Sequence, residues 1–167
     1  VATFLTSVSS YEGGCGFEDK MKTQETKKDI ILTEKEIINR FYEYNSSFFH
    51  NKLPIPFFVI IHTRKIIGRF TCEYNENGDV RNPAIEISDR YEYTEAQLKD
   101  IIIHEMLHYY LHYTHQIETQ EHGKRWKQLA MFFNEKFGTN IQIKTDITNI
   151  KIAKNKKNWL SNIFSKK

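Results

Sequence analysis

The sequence predicts a single domain of α+β class. Three observations carry that expectation. Long segments with apolar residues at helical spacing bracket a group of shorter β-branched runs. At 167 residues the chain has room for one real core. Its 40% hydrophobic and 27% charged residues give the balance of an ordinary globular protein, and no apolar run reaches the roughly 18 residues that a membrane-spanning helix needs.

Residues 1–29 lack sustained periodicity, hold Gly13, Gly14 and Gly16, and read as a loosely ordered leader. The start, Val1 to Ser10, is mildly apolar but lacks the basic flank of a signal peptide and does not begin with Met. Thr33 and Glu36 form a T-x-x-E start signal for a helix carrying Ile37, Ile38, Phe41, Tyr44 and Phe48, which should stop near His50, before Pro54. Phe57–His62 and Ile66–Tyr74 read as strands joined by Thr63-Arg64-Lys65 into a hairpin. Asn75–Pro83 is a turn cluster, and Ala84–Ser88 alternates as a third strand. A second capping box, Thr94 with Gln97, opens a helix to about Tyr113. After a polar loop, His122-Gly123 opens another helix with Trp126, Leu129, Ala130, Phe133 and Phe137 on one face, stopped by Gly138. Ile141, Ile143 and Ile147 suggest a short strand; Trp159, Leu160, Ile163 and Phe164 suggest a short basic amphipathic helix. The domain is therefore expected over residues 30–143, with 144–167 as a basic tail.

The middle helix carries His104-Glu105-Met106-Leu107-His108, an H-E-x-x-H. Two histidines four apart share one helix face and can grip one Zn²⁺, with the glutamate as general base. A catalytic zinc takes three protein ligands and leaves a position for water. His112 continues the ladder, but its Cα lies about 12 Å along the axis from that of His104, too far for one ion. His115 sits too close to the helix end to fold back. His122 follows a loop long enough to reverse the chain and is favoured; Glu118 and Glu121 remain alternatives.

His104 to Tyr109, followed by His122-Gly123-Lys124-Arg125-Trp126, resembles the SprT-like zinc metalloprotease family, which pairs H-E-x-x-H with a later H-G-x-x-aromatic segment. Ile67–Tyr74 and Ile85–Ser88 are similar to the strands before that family's active-site helix, and the likeness covers roughly residues 31–140. It implies a zincin-like fold, with a small, mostly antiparallel sheet packed against the H-E-x-x-H helix. It further implies three metal ligands, His104, His108 and His122, and Glu105 as the catalytic residue. Many members also carry a four-cysteine zinc ribbon; these 167 residues contain only Cys15 and Cys72.

The expected activity is hydrolysis of protein or peptide by a zinc-activated water with Glu105 as base, the substrate lying as an added strand on a sheet edge. Tyr109, Tyr110, Tyr113 and His115 are candidates to steady the oxyanion. The competing expectation is a zinc-containing module that binds nucleic acid or protein without turnover. Two free cysteines point to a reducing compartment, so the cytoplasm is expected. Residues 144–167 hold seven lysines and one acid, Asp146, a net +6 within a chain of +3, which leaves −3 for the rest. With Trp159 and Phe164 among the lysines, single-stranded DNA is a candidate partner, and the resemblance adds DNA-crosslinked proteins as candidate substrates. Trp126 is expected in the core and Cys72 as a buried strand thiol. His50 and His62 are expected to pack against apolar segments, and Asp100 to be an exposed helix acid.

Overall fold

A computed structural model describes residues 30, 32–145 and 147–153. Helix α1 spans Glu34–Phe49, strands β1, β2, β3 and β4 span Phe57–Ile61, Gly68–Tyr74, Val80–Ser88 and Tyr91–Glu92, and helices α2 and α3 span Glu95–Tyr113 and Lys124–Phe137. A 3₁₀ turn at Ile147–Asn149 and strand β5 at Lys151–Ile152 follow. The class is α+β, as the sequence predicts. Among the described residues no helix is long and apolar enough to cross a membrane.

The helix starts lie where the caps put them. Thr33 Oγ1 accepts from the Glu36 N–H at 3.1 Å. At Thr94 both halves of the capping box with Gln97 are made. After α1 the chain turns through His50 and Asn51, both left-handed. Buried Asn45 holds that turn to the next segment, donating to the Leu53 carbonyl at 2.8 Å and accepting from its N–H at 3.2 Å. Both ends of its amide are thereby satisfied, as a buried amide requires.

The sheet corrects one expectation. β1 and β2 do not form a hairpin. The order is β1-β3-β2, with β1 parallel to β3 (Phe57 opposite Ala84) and β2 antiparallel to it (Gly68 opposite Ile87). The sheet is therefore mixed. Thr63-Arg64-Lys65 is a crossover tied to the end of the central strand: Ser88 Oγ donates to the Thr63 carbonyl and Tyr91 Oη to that of Arg64, at 2.5 and 2.8 Å. The hairpin lies between β2 and β3 instead. There Gly78 takes φ 78° and Asn75 Oδ1 accepts from the Asn77 and Asp79 N–H groups. β3 begins earlier than expected, at Val80, and runs through Pro83 because the ladder slips between Thr71 and Glu73 of β2. A proline has no N–H to give a central strand, and an irregularity of this kind is where one fits.

Ile85 and Ile87 of β3 are fully buried against the helices. α2 runs through the centre, with nearly every residue from Leu98 to Tyr109 buried. It touches the sheet on one side and α1 and α3 on the other. α3 contributes Trp126, Ala130 and Phe133 and ends at Gly138 (φ 62°).

The stretch after α3 is not the expected strand. Asn134 Oδ1 accepts from the Ile141 N–H at 2.8 Å, Asn134 Nδ2 donates to the Ile141 carbonyl at 3.0 Å, and Asp100 Oδ1 accepts from the Asn140 N–H at 3.1 Å. Side chains thus occupy the groups a ladder would need. Ile143 and Ile147 are exposed. The strand comes later, where β5 pairs with β4. The expected leader and the Trp159–Phe164 stripe lie outside the described residues.

Candidate metal centre

α2 and the start of α3 bring His104, His108 and His122 together. Their Nε2 atoms lie 3.3 Å apart between His104 and His108, and 3.1 Å apart from each of these to His122. Three nitrogen lone pairs converge on one point, and the group could hold a metal ion. His104 and His108 are buried; His122 is partly exposed. Burial, and then the neighbouring imidazoles, hold His104 down at about 4 and His108 at about 3, and burial lowers His122 as well. At neutral pH all three rings are therefore uncharged and able to donate lone pairs.

Trp126 backs the cluster. Its ring centroid lies 4.6, 5.4 and 4.4 Å from those of His104, His108 and His122. The indole is 1% exposed. It is a core residue, as expected, and also the wall against which all three histidine rings rest, a role the sequence reading missed. The signal was present: Trp126 stands four residues after His122, one helical turn along. The Gln142 backbone is the hydrogen-bond partner of His104, which fixes that ring's orientation in the manner of metal-ligand histidines.

Glu105 lies beneath β2, against Gly68 and Phe70. Its carboxyl is 5% exposed, and the Phe70 backbone hydrogen-bonds to it. Burial, opposed by that bond and aided by the charges of Glu121 and Glu86, raises it to about 8. Gly68 makes the approach possible: a Cβ there would stand 2.8 Å from Glu105 Oε1 and 2.9 Å from Ile101 Cγ2.

The alternative third ligands have other tasks. Glu118 Oε2 accepts from the Arg125 N–H at 2.7 Å and so caps α3, whose N-cap residue Gly123 has no side chain to do so. A Cβ at Gly123 would stand 2.5 Å from the same oxygen. Glu121 is exposed, and its charge reaches His112 and His122 without joining the nitrogen cluster. His112 packs between Phe70 and Tyr74. His115 faces Asp79 at 3.5 Å.

The other candidates fall away from the histidines. Tyr109 donates to the Pro54 carbonyl at 3.1 Å, Tyr110 packs on Phe49, and Tyr113 is exposed beside Tyr109. His50 and His62 are exposed rather than packed; each follows its apolar segment at a turn, and His62 Nδ1 meets Asp89 at 2.8 Å. Asp100 is half-buried and pins Asn140 rather than orienting a ligand. Cys72 is a half-buried thiol at the slip in the ladder.

A cavity of about 290 Å³ opens beside His108 and Trp126, walled by Phe70, Leu111, His112, Ile117 and residues 118–121. A second, of about 150 Å³, lies on the His104 side against residues 140–142. The histidine cluster thus sits between two hollows, with His108 on the wall of one and His104 on the wall of the other. The model of the SprT-like family matches residues 37–146, a span that contains the cluster and both hollows. No curated protein matches the sequence.

Proposed function

The chain belongs to the SprT-like family, and from that membership and the histidine geometry we propose a zinc-dependent endopeptidase. The observation that carries this reading is the convergence of the three Nε2 atoms at 3.1–3.3 Å. A tetrahedral zinc with bonds near 2.05 Å requires ligand nitrogens about 3.3 Å apart. A His₃ set also leaves the fourth position that a catalytic zinc keeps open. Zinc held by His104, His108 and His122 would supply Lewis acidity toward the scissile carbonyl and toward the attacking water.

Glu105 takes the proton from the attacking water and returns it to the leaving amine. Its raised pKa belongs to the metal-free protein; a divalent cation beside it favours the carboxylate that a base must be. The Phe70 backbone fixes the carboxyl, and Gly68 lets the strand pass over it. Among the described residues β2 pairs with β3 on one side only, and its other edge is where a substrate strand would add, above Glu105. Trp126 keeps the ligand rings in place from beneath. A purely structural zinc site closes its fourth position and has no use for a buried carboxyl at this point, which favours the hydrolase over the binding module.

The test is elemental analysis of the purified protein together with casein hydrolysis by the parent and by Glu105→Gln. About one zinc per chain in both, with hydrolysis only in the parent, is expected. Hydrolysis by Glu105→Gln at the parent's rate would show that Glu105 is not the base. Zinc uptake with no hydrolysis by the parent would favour the binding module instead.

A further inference from the structure

His112 has a chemistry that the metal site does not use. It stands one turn beyond His108 on the same face of α2, about 6 Å along the axis, and lines the larger cavity together with His108 and Trp126. Its Nδ1 is occupied: the Tyr74 hydroxyl hydrogen-bonds to it, and Cys72 Sγ lies 3.6 Å away. Among the described residues its Nε2 has no hydrogen-bond partner. Phe70 meets the ring edge-on with centroids 5.2 Å apart, and Tyr74 stacks on it, so the ring is held in one orientation.

The contacts favour one tautomer, since two proton-bearing groups face Nδ1. Burial, together with Cys72, pushes the Tyr74 hydroxyl up to about 12, and burial raises the Cys72 thiol too. Both neighbours of Nδ1 therefore keep their protons at neutral pH. With Tyr74 O–H donating, Nδ1 is an acceptor, and the neutral ring carries its proton on Nε2, on the opposite side. The charged group facing it from the next segment is Glu121, which raises His112 against the lowering effect of burial. The result is an oriented N–H donor on the wall of a cavity lined by both apolar and polar side chains, next to the three histidines but outside their cluster.

We propose that His112 is a substrate-binding residue, its Nε2–H donating to an oxygen of the peptide that lies beside the three histidines. Tyr74 is the positioning residue that keeps the proton on that nitrogen. The oxygen recognised is a backbone carbonyl or a side-chain amide of the chain entering the larger cavity. This assignment rests on the endopeptidase reading, since it supposes that a peptide occupies the cleft.

The experiment compares His112→Asn, His112→Gln and Tyr74→Phe. An asparagine amide reaches the position of Nδ1 and can keep the Tyr74 bond; a glutamine amide reaches the position of Nε2 and can keep the substrate bond. Two readouts are taken. One is kcat and KM for casein hydrolysis. The other is fluorescence anisotropy of a fluorescein-labelled casein peptide on zinc-loaded protein with Glu105→Gln in every background. His112→Asn is expected to raise Kd and KM about tenfold, the cost of one hydrogen bond, with zinc content unchanged. His112→Gln should stay within about threefold of the parent, and Tyr74→Phe should fall between. A role confined to packing against Tyr74 predicts the reverse order of Asn and Gln, and that order would overturn the proposal. Equal binding by all variants, loss of zinc in His112→Asn, or no peptide binding by any form would overturn it as well. If the parent fails to hydrolyse casein while His112→Asn still weakens peptide binding, the endopeptidase reading fails and the His112 assignment stands.

Discussion

Replacing Gly68 by alanine tests how closely β2 lies on α2. The φ of Gly68 is not in the left-handed region, so alanine brings no backbone strain, and the effect is one of space. Its Cβ would stand 2.8 Å from Glu105 Oε1 and 2.9 Å from Ile101 Cγ2, where carbon contacts are comfortable at about 3.5–4.0 Å. Neither neighbour can easily retreat. Ile101 is 2% exposed within the core, and Glu105 is tied to the Phe70 backbone. Overpacking of this kind costs about 1–3 kcal/mol. The loss of chain entropy in the unfolded state returns about 0.4–1 kcal/mol. The net is a loss of about 0.5–2 kcal/mol, or a Tm lower by roughly 2–10 °C for a domain of this size.

The sign makes the experiment decisive. Were Gly68 in open space, the entropy term alone would act and alanine would raise Tm. Thermal melts of chelator-treated parent and Gly68→Ala protein read this directly. Adding Glu105→Ala to both backgrounds closes a cycle: removal of the nearer atom should recover part of the loss, as contacting residues couple by about 0.5–3 kcal/mol. The substitution should also displace the carboxyl and cut casein hydrolysis by more than tenfold, because misplacement of the order of 1 Å is costly in catalysis. A Gly68→Ala protein that melts higher than the parent and hydrolyses casein as fast would refute the packing of β2 over Glu105.

Further expectations concern pH, ligands and tail. In metal-free protein, His104 and His108 have lowered pKa values, so their contribution to stability is complete above about pH 6.5 and is lost by up to about 3 kcal/mol each as pH falls to 4.5. Glu105, raised to about 8, acts in the opposite sense and removes stability as pH rises from 4.5 to 8. Urea midpoints should therefore peak near pH 6.5, and Glu105→Gln should flatten the alkaline limb and steepen the acid one; a monotonic rise to pH 8 in the parent would contradict this. His122→Ala should lose zinc, whereas Glu118→Ala should keep it and lose about 1 kcal/mol with the α3 cap; the opposite pattern in elemental analysis would transfer the ligand role to Glu118. Residues 154–167 carry five lysines and no acid. Truncation after Ala153, which spares buried Ile150 and β5, should reduce binding of a labelled single-stranded oligonucleotide and its salt dependence, measured by anisotropy. Unchanged affinity would dismiss the tail as a nucleic-acid element.

What was legible in the sequence was local. The α2 helix announces itself through its capping box, its apolar run and two histidines one turn apart, and all of these act within a few residues of each other. The strand segments were legible as segments, but their order was not. β1 pairs with β3 across 27 residues, Phe57 with Ala84, and nothing in either run favours that partner over the nearer β2. Spacing alone also left His122, Glu118 and Glu121 open. The choice among them turns on a helix cap, since Gly123 gives α3 no capping side chain and Glu118 has to supply one. Likewise Ile141 and Ile143 alternate as a strand would, but the carboxyl and amide groups that capture the backbone there, Asp100 and Asn134, lie 40 and 7 residues away from their partners.

The burial of α2 bears on how the site works. A helix that is apolar on nearly every side belongs in a core, yet this one carries two imidazoles and a carboxyl there. Neutral imidazoles cost far less to bury than charged ones, and the lowered pKa values of His104 and His108 express that preference. Their lone pairs are thereby kept free for a cation. The same burial holds their rings against Trp126, which is itself wedged in the α3 stripe with Ala130 and Phe133. Ligand geometry and core packing thus share the same side chains. The unfolded chain has no such triangle of nitrogens, so metal that binds the folded form draws the whole domain toward folding. A core substitution away from the histidines, at Phe133 for instance, lowers the apparent metal affinity only where it leaves the metal-free protein appreciably unfolded, while those at Trp126 act on ring placement directly.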